Sequence, residues 1–219
     1  MDKQPLGIIN VMESFSCAYR ESFVCLGLLN KPPETDLLRQ QGVGITNLLN
    51  QGVRYMLHYD TVQWLWMVHD NCVYPETILM NLLEHDVDIV VPYCLSGVYP
   101  HLPLFFNKSD YSVAHDVAEQ SGLVETDQVL ATYSGMLVKR HVFETLDDPW
   151  FINGVTKQGC LGGDLYFCEQ ALAHGFKIHI DFNNPIGSIM NYSVWAERHS
   201  DGAWRSGVHK AIPWEEDDE

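Results

Sequence analysis

The chain has 219 residues, 46% of them hydrophobic and 19% charged, with a formal net charge of −16. This balance belongs to a globular chain with one substantial core, and no apolar run approaches the ~20 residues of a membrane-spanning helix. The excess of carboxylates speaks against a broad phosphate-binding surface, so DNA is an unfavourable partner.

Five of the negative charges form the terminal run Glu215-Glu216-Asp217-Asp218-Glu219, read as a solvated tail. A small anion still fits if a helix N-terminus or a metal ion screens it. The six cysteines, Cys17, Cys25, Cys72, Cys94, Cys160 and Cys168, contain no C-x-x-C pair and no zinc-like spacing. The opening "MDKQPLGIINVMESF" lacks a signal-cleavage pattern, so the expectation is reduced thiols and a cytoplasmic protein.

In chain order, "LGIINV" at 6–11 predicts a strand, with Ser14 and Ser16 as caps for a helix around 18–29. "NKPPET" makes a turn, and 36–43 a short strand or loop. Ile45, Leu48, Leu49, Val53, Met56 and Leu57 repeat at helical spacing, which predicts an amphipathic helix interrupted by Gly52. "WLWMV" reads as a central strand, Pro75 and Glu76 as the first turn of a helix, and "VDIVVPYC" as another buried strand. This order predicts a single α/β domain with a mostly parallel sheet covered by helices on both faces.

Beyond residue 95 the pattern loosens. "GVYPHLPLFF" reads as an extended segment and "SGMLVKRHVFETL" as a strand and a short helix. "DPWFINGVTKQGCLGG" reads as a long glycine-rich loop, a kind that tends to be functional. It ends at Asp164, which opens a helix closed by Gly175, and "FKIHIDF" alternates as the last clear strand.

In open parallel sheets ligands bind at the carboxyl ends of strands. The triplet His69-Asp70-Asn71 falls at such an end, and Asp164 opens a helix that should reach the same edge. Both acids are equally readable as helix caps. Cys72 is a tempting nucleophile beside the triplet, against the plainer reading of a structural thiol.

At these residues the chain resembles the GT-A-fold glycosyltransferases, especially small single-domain family 2-like members of bacteria and phages. "WMVHDNCVYP" stands where that family carries an acidic "DDD" strand end, and "GGDLYFCEQALAHGFKIHID" is similar to its "EDxxFCxxxxxxGxxhxhD" helix and strand. "SGMLVKRHVFETLDDPWF" resembles the acceptor side, and "NPIGSI" falls where a Gly-His usually stands. The resemblance covers about residues 6–190, taken as a domain of 1–190, with 191–219 as an extension. That extension, with Trp195, Trp204 and Trp214, reads as a lid or a partner-contacting segment.

The resemblance implies inverting transfer of a sugar from a nucleotide sugar to a glycan, protein or small-molecule hydroxyl. It implies Asp164 as general base, and His69, Asp70 and Asn71 as the donor-binding turn. Asp70 and His69 would be metal ligands for Mn²⁺ or Mg²⁺, and Gly163, Trp150 and Phe151 would lie on the acceptor loop. Trp150 and Phe151 either stack on a sugar or anchor the loop in the core.

Five positions depart from the pattern. Neutral groups, His69 and Asn71, flank Asp70; Gly163 replaces a Glu; Ser188 replaces the His; Leu49 stands at an Arg position. Any metal would be held weakly. Arg54, Lys139, Arg140, Lys157, Arg198 or Arg205 would then be needed to carry the diphosphate, with His199 or His209 as spare catalytic groups. The alternatives are a degenerate scaffold that binds a nucleotide sugar without transferring it, and an interaction protein.

Overall fold

A computed structural model of the protein describes residues 6–13, 20–42, 44–156, 159–189 and 193–209. Ser14, Ser16, Cys17, Lys157, Trp214 and the acidic run 215–219 lie outside the described residues.

The elements run β1 Gly7–Glu13, α1 Arg20–Leu28, β2 Thr35–Gln41, α2 Ile45–Leu57, β3 Trp64–His69, β4 Cys72–Val73, α3 Ile78–Glu84 and β5 Ile89–Cys94. They continue as β6 Phe105–Asn107, a 3-10 turn His115–Glu119, β7 Leu123–Thr126, β8 Val129–Ala131, β9 Met136–Lys139 and α4 Arg140–Thr145. The last are β10 Gly154–Thr156, β11 Gly159–Leu161, α5 Gly163–Ala173, β12 Ile178–Ile189, β13 Ser193–Arg198 and β14 Trp204–His209.

The main sheet has the order β14-β13-β12-β5-β9-β3-β1-β2. β1 is parallel to β2 and β3, β12 is parallel to β5, and β9 runs antiparallel between β3 and β5. Five of the six strands from β2 to β12 therefore point the same way, giving the mostly parallel sheet expected of the sequence. Their carboxyl ends define one edge.

β1 is buried along its whole length because alternate side chains feed two layers. Ile8 and Met12 pack with α2 residues Leu48, Leu49 and Val53, whereas Ile9 and Val11 pack with Leu26 of α1 and Leu79 of α3. The helix predicted over 45–57 has those bounds. Gly52 within it faces Asn10 of β1: a Cβ there would stand 2.2 Å from Asn10 Nδ2. The glycine is what lets α2 lie against a strand that carries a buried amide, itself bonded through Oδ1 to Gln40 Nε2 at 2.6 Å.

Three expectations change. The helix after Pro75 starts at Ile78, because the Ile78 N–H turns back to the Pro75 carbonyl. The glycine-rich loop contains a hairpin, β10 paired with β11. Residues 193–209, expected to form a lid or extension, are strands of the main sheet, β13 pairing with β12 and β14 with β13. Trp204 packs 5.1 Å from Tyr93 between ring centroids, so the sheet keeps growing where an aromatic anchors it to the core.

Candidate functional site

β3 delivers His69 to the carboxyl edge, and the Asp70 N–H continues the pairing by donating to the Met12 carbonyl of β1 at 3.2 Å. Tyr74, itself buried, grips the turn: its hydroxyl accepts from the His69 N–H at 2.9 Å and donates to the His69 carbonyl at 3.3 Å. On the far side, the Ile189 N–H donates to the Asn71 carbonyl at 2.6 Å, and β4 pairs antiparallel with β12. The turn is pinned to β1 and β12 and clasped by Tyr74.

Asp70 is 1% exposed, and its Oδ1 lies 3.1 Å from His69 Nδ1. The Asn71 N–H also points at Nδ1, at 3.2 Å. One ring nitrogen can serve only one of them at a time, by donating to Asp70 or accepting from Asn71. Burial lowers the His69 pKa, opposed by the Asp70 charge, so the ring is neutral near pH 7.

Asp164 stands in the first turn of α5 and is half-buried. Its Oδ1 accepts the Leu165 N–H at 2.9 Å, which with the nearby Tyr133 backbone favours the charged form. Burial outweighs this support and raises the Asp164 pKa. Tyr133 is the link between the two acids. Its ring centroid lies 5.8 Å from that of His69, and its hydroxyl is held far above the usual range by burial, then by the charges of Asp164, Cys72 and Asp70. The turn and the α5 N-terminus thus share Tyr133 as a wall. Nothing in the sequence marked this residue beyond its place in "TYSG", two positions before Gly135, whose φ of 77° starts the run into β9.

Other expected positions are already committed to the structure. Trp150 and Phe151 are buried: Phe151 stacks on Phe167 at 4.9 Å, and the Trp150 indole N–H donates to the Phe143 carbonyl at 2.8 Å. Neither offers a ring face to a sugar, which corrects the stacking alternative in favour of the anchor. Gly163 donates its N–H to Asn153 Oδ1 at 3.0 Å, and a Cβ on it would meet Thr46 Cγ2 at 2.9 Å. The space a Glu would need is filled by Thr46. Ser188 donates to the Leu95 carbonyl at 2.6 Å, and Leu49 is buried in the core. Cys72 is buried with its thiol pKa pushed up, which speaks against it as a nucleophile toward a sugar donor.

The cations are largely paired. Arg54 binds Asp148, Lys139 binds Asp86, Arg140 binds Glu144 and Arg205 binds Asp201, while Arg198 lies over Trp204. His199 is exposed in the β13–β14 turn. Arg39, which sequence reasoning passed over, donates through Nε to the buried Glu13 at 2.7 Å and lies 4.4 Å over the Phe23 ring. Because Glu13 ends β1, this pair stands on the same edge as Asp70.

No family model matches the chain, and no curated protein does. Among solved structures, the viral protein A197 from STIV is similar with a TM-score of 0.61 at 11% identity, over 93% of this chain and 94% of that one. S. aureus TarS, a glycosyltransferase, gives 0.51 at 11% identity, over 81% of this chain and 35% of TarS. TarS 1-349 gives 0.50 at 9% identity, over 81% of this chain and 58% of that one. The fold is glycosyltransferase-like. At these identities the likeness concerns the fold alone, and this chain spans about a third of TarS.

As to metal, no three His, Cys, Asp or Glu side chains converge among the described residues. His69 and Asp70 supply two donors that already face each other, and Ser188 is spent on Leu95. This set does not fit a metal ion that needs several oxygen ligands. Among the described residues no helix is long and apolar enough to cross a membrane.

Proposed function

We propose that the chain is a nucleotide-sugar-dependent glycosyltransferase of inverting type, with the donor against the His69-Asp70-Asn71 turn and Asp164 as general base. The reading is carried by one relationship: Tyr133 lies against His69 and within electrostatic reach of Asp164 at the carboxyl edge of a glycosyltransferase-like sheet. A carboxyl whose pKa is raised by burial is closer to the working pH of a base. In the reaction Asp164 takes the proton of an acceptor hydroxyl while that oxygen bonds to the anomeric carbon. The bond from that carbon to the diphosphate breaks, and the nucleoside diphosphate leaves. His69 and Asn71 are neutral hydrogen-bonding groups for the donor, and Arg39 brings positive charge to this edge, partly balanced by Glu13. The acceptor is a glycan, a protein or a small molecule. No step is routed through a metal; Mn²⁺ and Mg²⁺ are variables of the test.

The test is thermal unfolding of the full chain with UDP, GDP, CDP and dTDP sugars, each with and without Mn²⁺. A donor at ~100 times its Kd adds about 2.7 kcal/mol, which for a chain of this size is several degrees. A shift for one nucleotide, followed by its release as free diphosphate in the presence of an acceptor, supports transfer. No shift for any sugar defeats the reading. A second reading, a binding scaffold without turnover, is favoured by the filled space at Gly163; it expects the shift without release of diphosphate.

A further inference from the structure

Cys72 and Cys94 come from different strands and meet on one edge of β12. Cys94 opposes Ile186 and Cys72 opposes Ser188. Ser188 pairs on its other side with Val194 of β13, so β4 takes up the edge of β12 where β5 leaves it. Positions two apart on a strand face the same way. Both thiols accordingly enter the same packed layer, with Trp66, Val68, Tyr74 and Ile186. They are 2% and 1% exposed, and Cys94 Sγ lies 3.3 Å from Ser188 Oγ. Cys72 Sγ also donates to Asn71 Oδ1 at 3.4 Å and Cys94 Sγ to the Leu95 carbonyl at 3.5 Å, and the influence of each thiol on the other raises the Cys72 pKa and lowers that of Cys94. Cys168 makes a contrast: it is just as buried, but it lies in the other packed layer, its thiol donating to the Ala131 carbonyl.

We propose that Cys72 and Cys94 are a dithiol that a small peroxide closes to a disulfide between β4 and β5. The Cys94 sulfur, as thiolate, attacks one peroxide oxygen; the O–O bond breaks, leaving a sulfenic acid and a hydroxide that takes a proton to become water. The Cys72 sulfur then attacks the sulfenic sulfur, the S–O bond breaks, and the departing hydroxyl leaves with the Cys72 proton as a second water. Two thiols give up two electrons and one peroxide becomes two waters. The burial of both sulfurs makes the step slow, because peroxide enters through local opening. The adjacent second thiol then resolves the sulfenic acid before further oxidation. The bond fastens the strand that follows His69-Asp70-Asn71 to β5 and takes Cys94 from Ser188. It does not depend on the transferase reading.

The experiment treats the reduced full chain with hydrogen peroxide, blocks remaining thiols with iodoacetamide in denaturant, and maps the digest by mass spectrometry. The expected product is a Cys72 peptide joined to a Cys94 peptide, lighter by two hydrogens than the sum of the reduced pair. The oxidised protein should melt roughly 6–12 °C higher, reversibly with dithiothreitol, since the bond closes a loop of some twenty residues. Cys94→Ser should give neither the link nor the rise. Should that variant fail to fold, the digest of the unaltered protein decides alone. Recovery of Cys72 and Cys94 as alkylated peptides after Cys25 has been oxidised, or links spread among all the cysteines, would overturn the proposal.

Discussion

The ring of Tyr133 lies 5.8 Å from the ring of His69, tilted by 44°, while the Tyr133 hydroxyl feels the charge of Asp164, which pushes it up, and the Tyr133 backbone in turn favours the Asp164 carboxylate. One residue from the β8–β9 connection thus ties together two acidic positions that are 94 residues apart in the chain.

For Asp164 the raised pKa has a definite sign. In the folded state it holds its proton to a higher pH than in the unfolded chain. Folding stability from this group is therefore present below the ordinary carboxylate pKa and is lost as pH rises through the raised value. Asp164→Asn should flatten that part of the stability profile, measured by urea unfolding across the acid range. If the transferase reading is right, the same change lowers turnover by about 10²–10⁴, and the wild-type rate climbs with pH as the carboxyl ionises.

His69→Asp would set a second carboxylate beside Asp70 in a turn where Asp70 is 1% exposed. Two like charges in one buried site raise each other's cost, on the order of 3–5 kcal/mol when nothing compensates. The variant should melt lower than wild type in EDTA and regain much of the loss in Mn²⁺. If Mn²⁺ restores nothing, even in His69→Asp/Asn71→Asp, the turn cannot be converted to a metal site by charge alone.

Gly163→Glu, which would put back the carboxylate of the resembling family, should harm rather than repair. The Cβ alone meets Thr46 Cγ2 at 2.9 Å and the Ile152 backbone nitrogen at 3.4 Å. Overpacking of this kind costs about 1–3 kcal/mol. Thr46→Gly in the same chain should recover part of the loss, read as the denaturation midpoint; equal stability of the single variant and wild type counts against the account.

Gly52→Ala tests packing against helix propensity. Alanine gains about 1 kcal/mol in a helix interior, but its Cβ would stand 2.2 Å from Asn10 Nδ2 and 2.8 Å from Asn10 Cγ. Asn10 is fully buried, so its amide has no room to retreat. The expected outcome is a net loss, turned toward the propensity gain when combined with Asn10→Ala.

The sequence by itself determined the elements whose signal is local. The spacing of Ile45, Leu48, Leu49, Val53 and Met56 gave α2 its ends, the bulky run at Trp64 gave β3, and Gly175, with its φ of 87°, closed α5. It also placed His69, Asp70, Asn71 and Asp164 at element ends, because strand-to-helix junctions are readable from turn chemistry. Only the tertiary structure decided that β9 enters the parallel sheet reversed and that residues 193–209 extend it. The burial of Trp150 and Phe151, the filling of the Gly163 site by Thr46, and the place of Tyr133 were decided there too. Each of these depends on partners far away in the chain, and an aromatic or a glycine reads the same in sequence whether its neighbour in space is water, sugar or core.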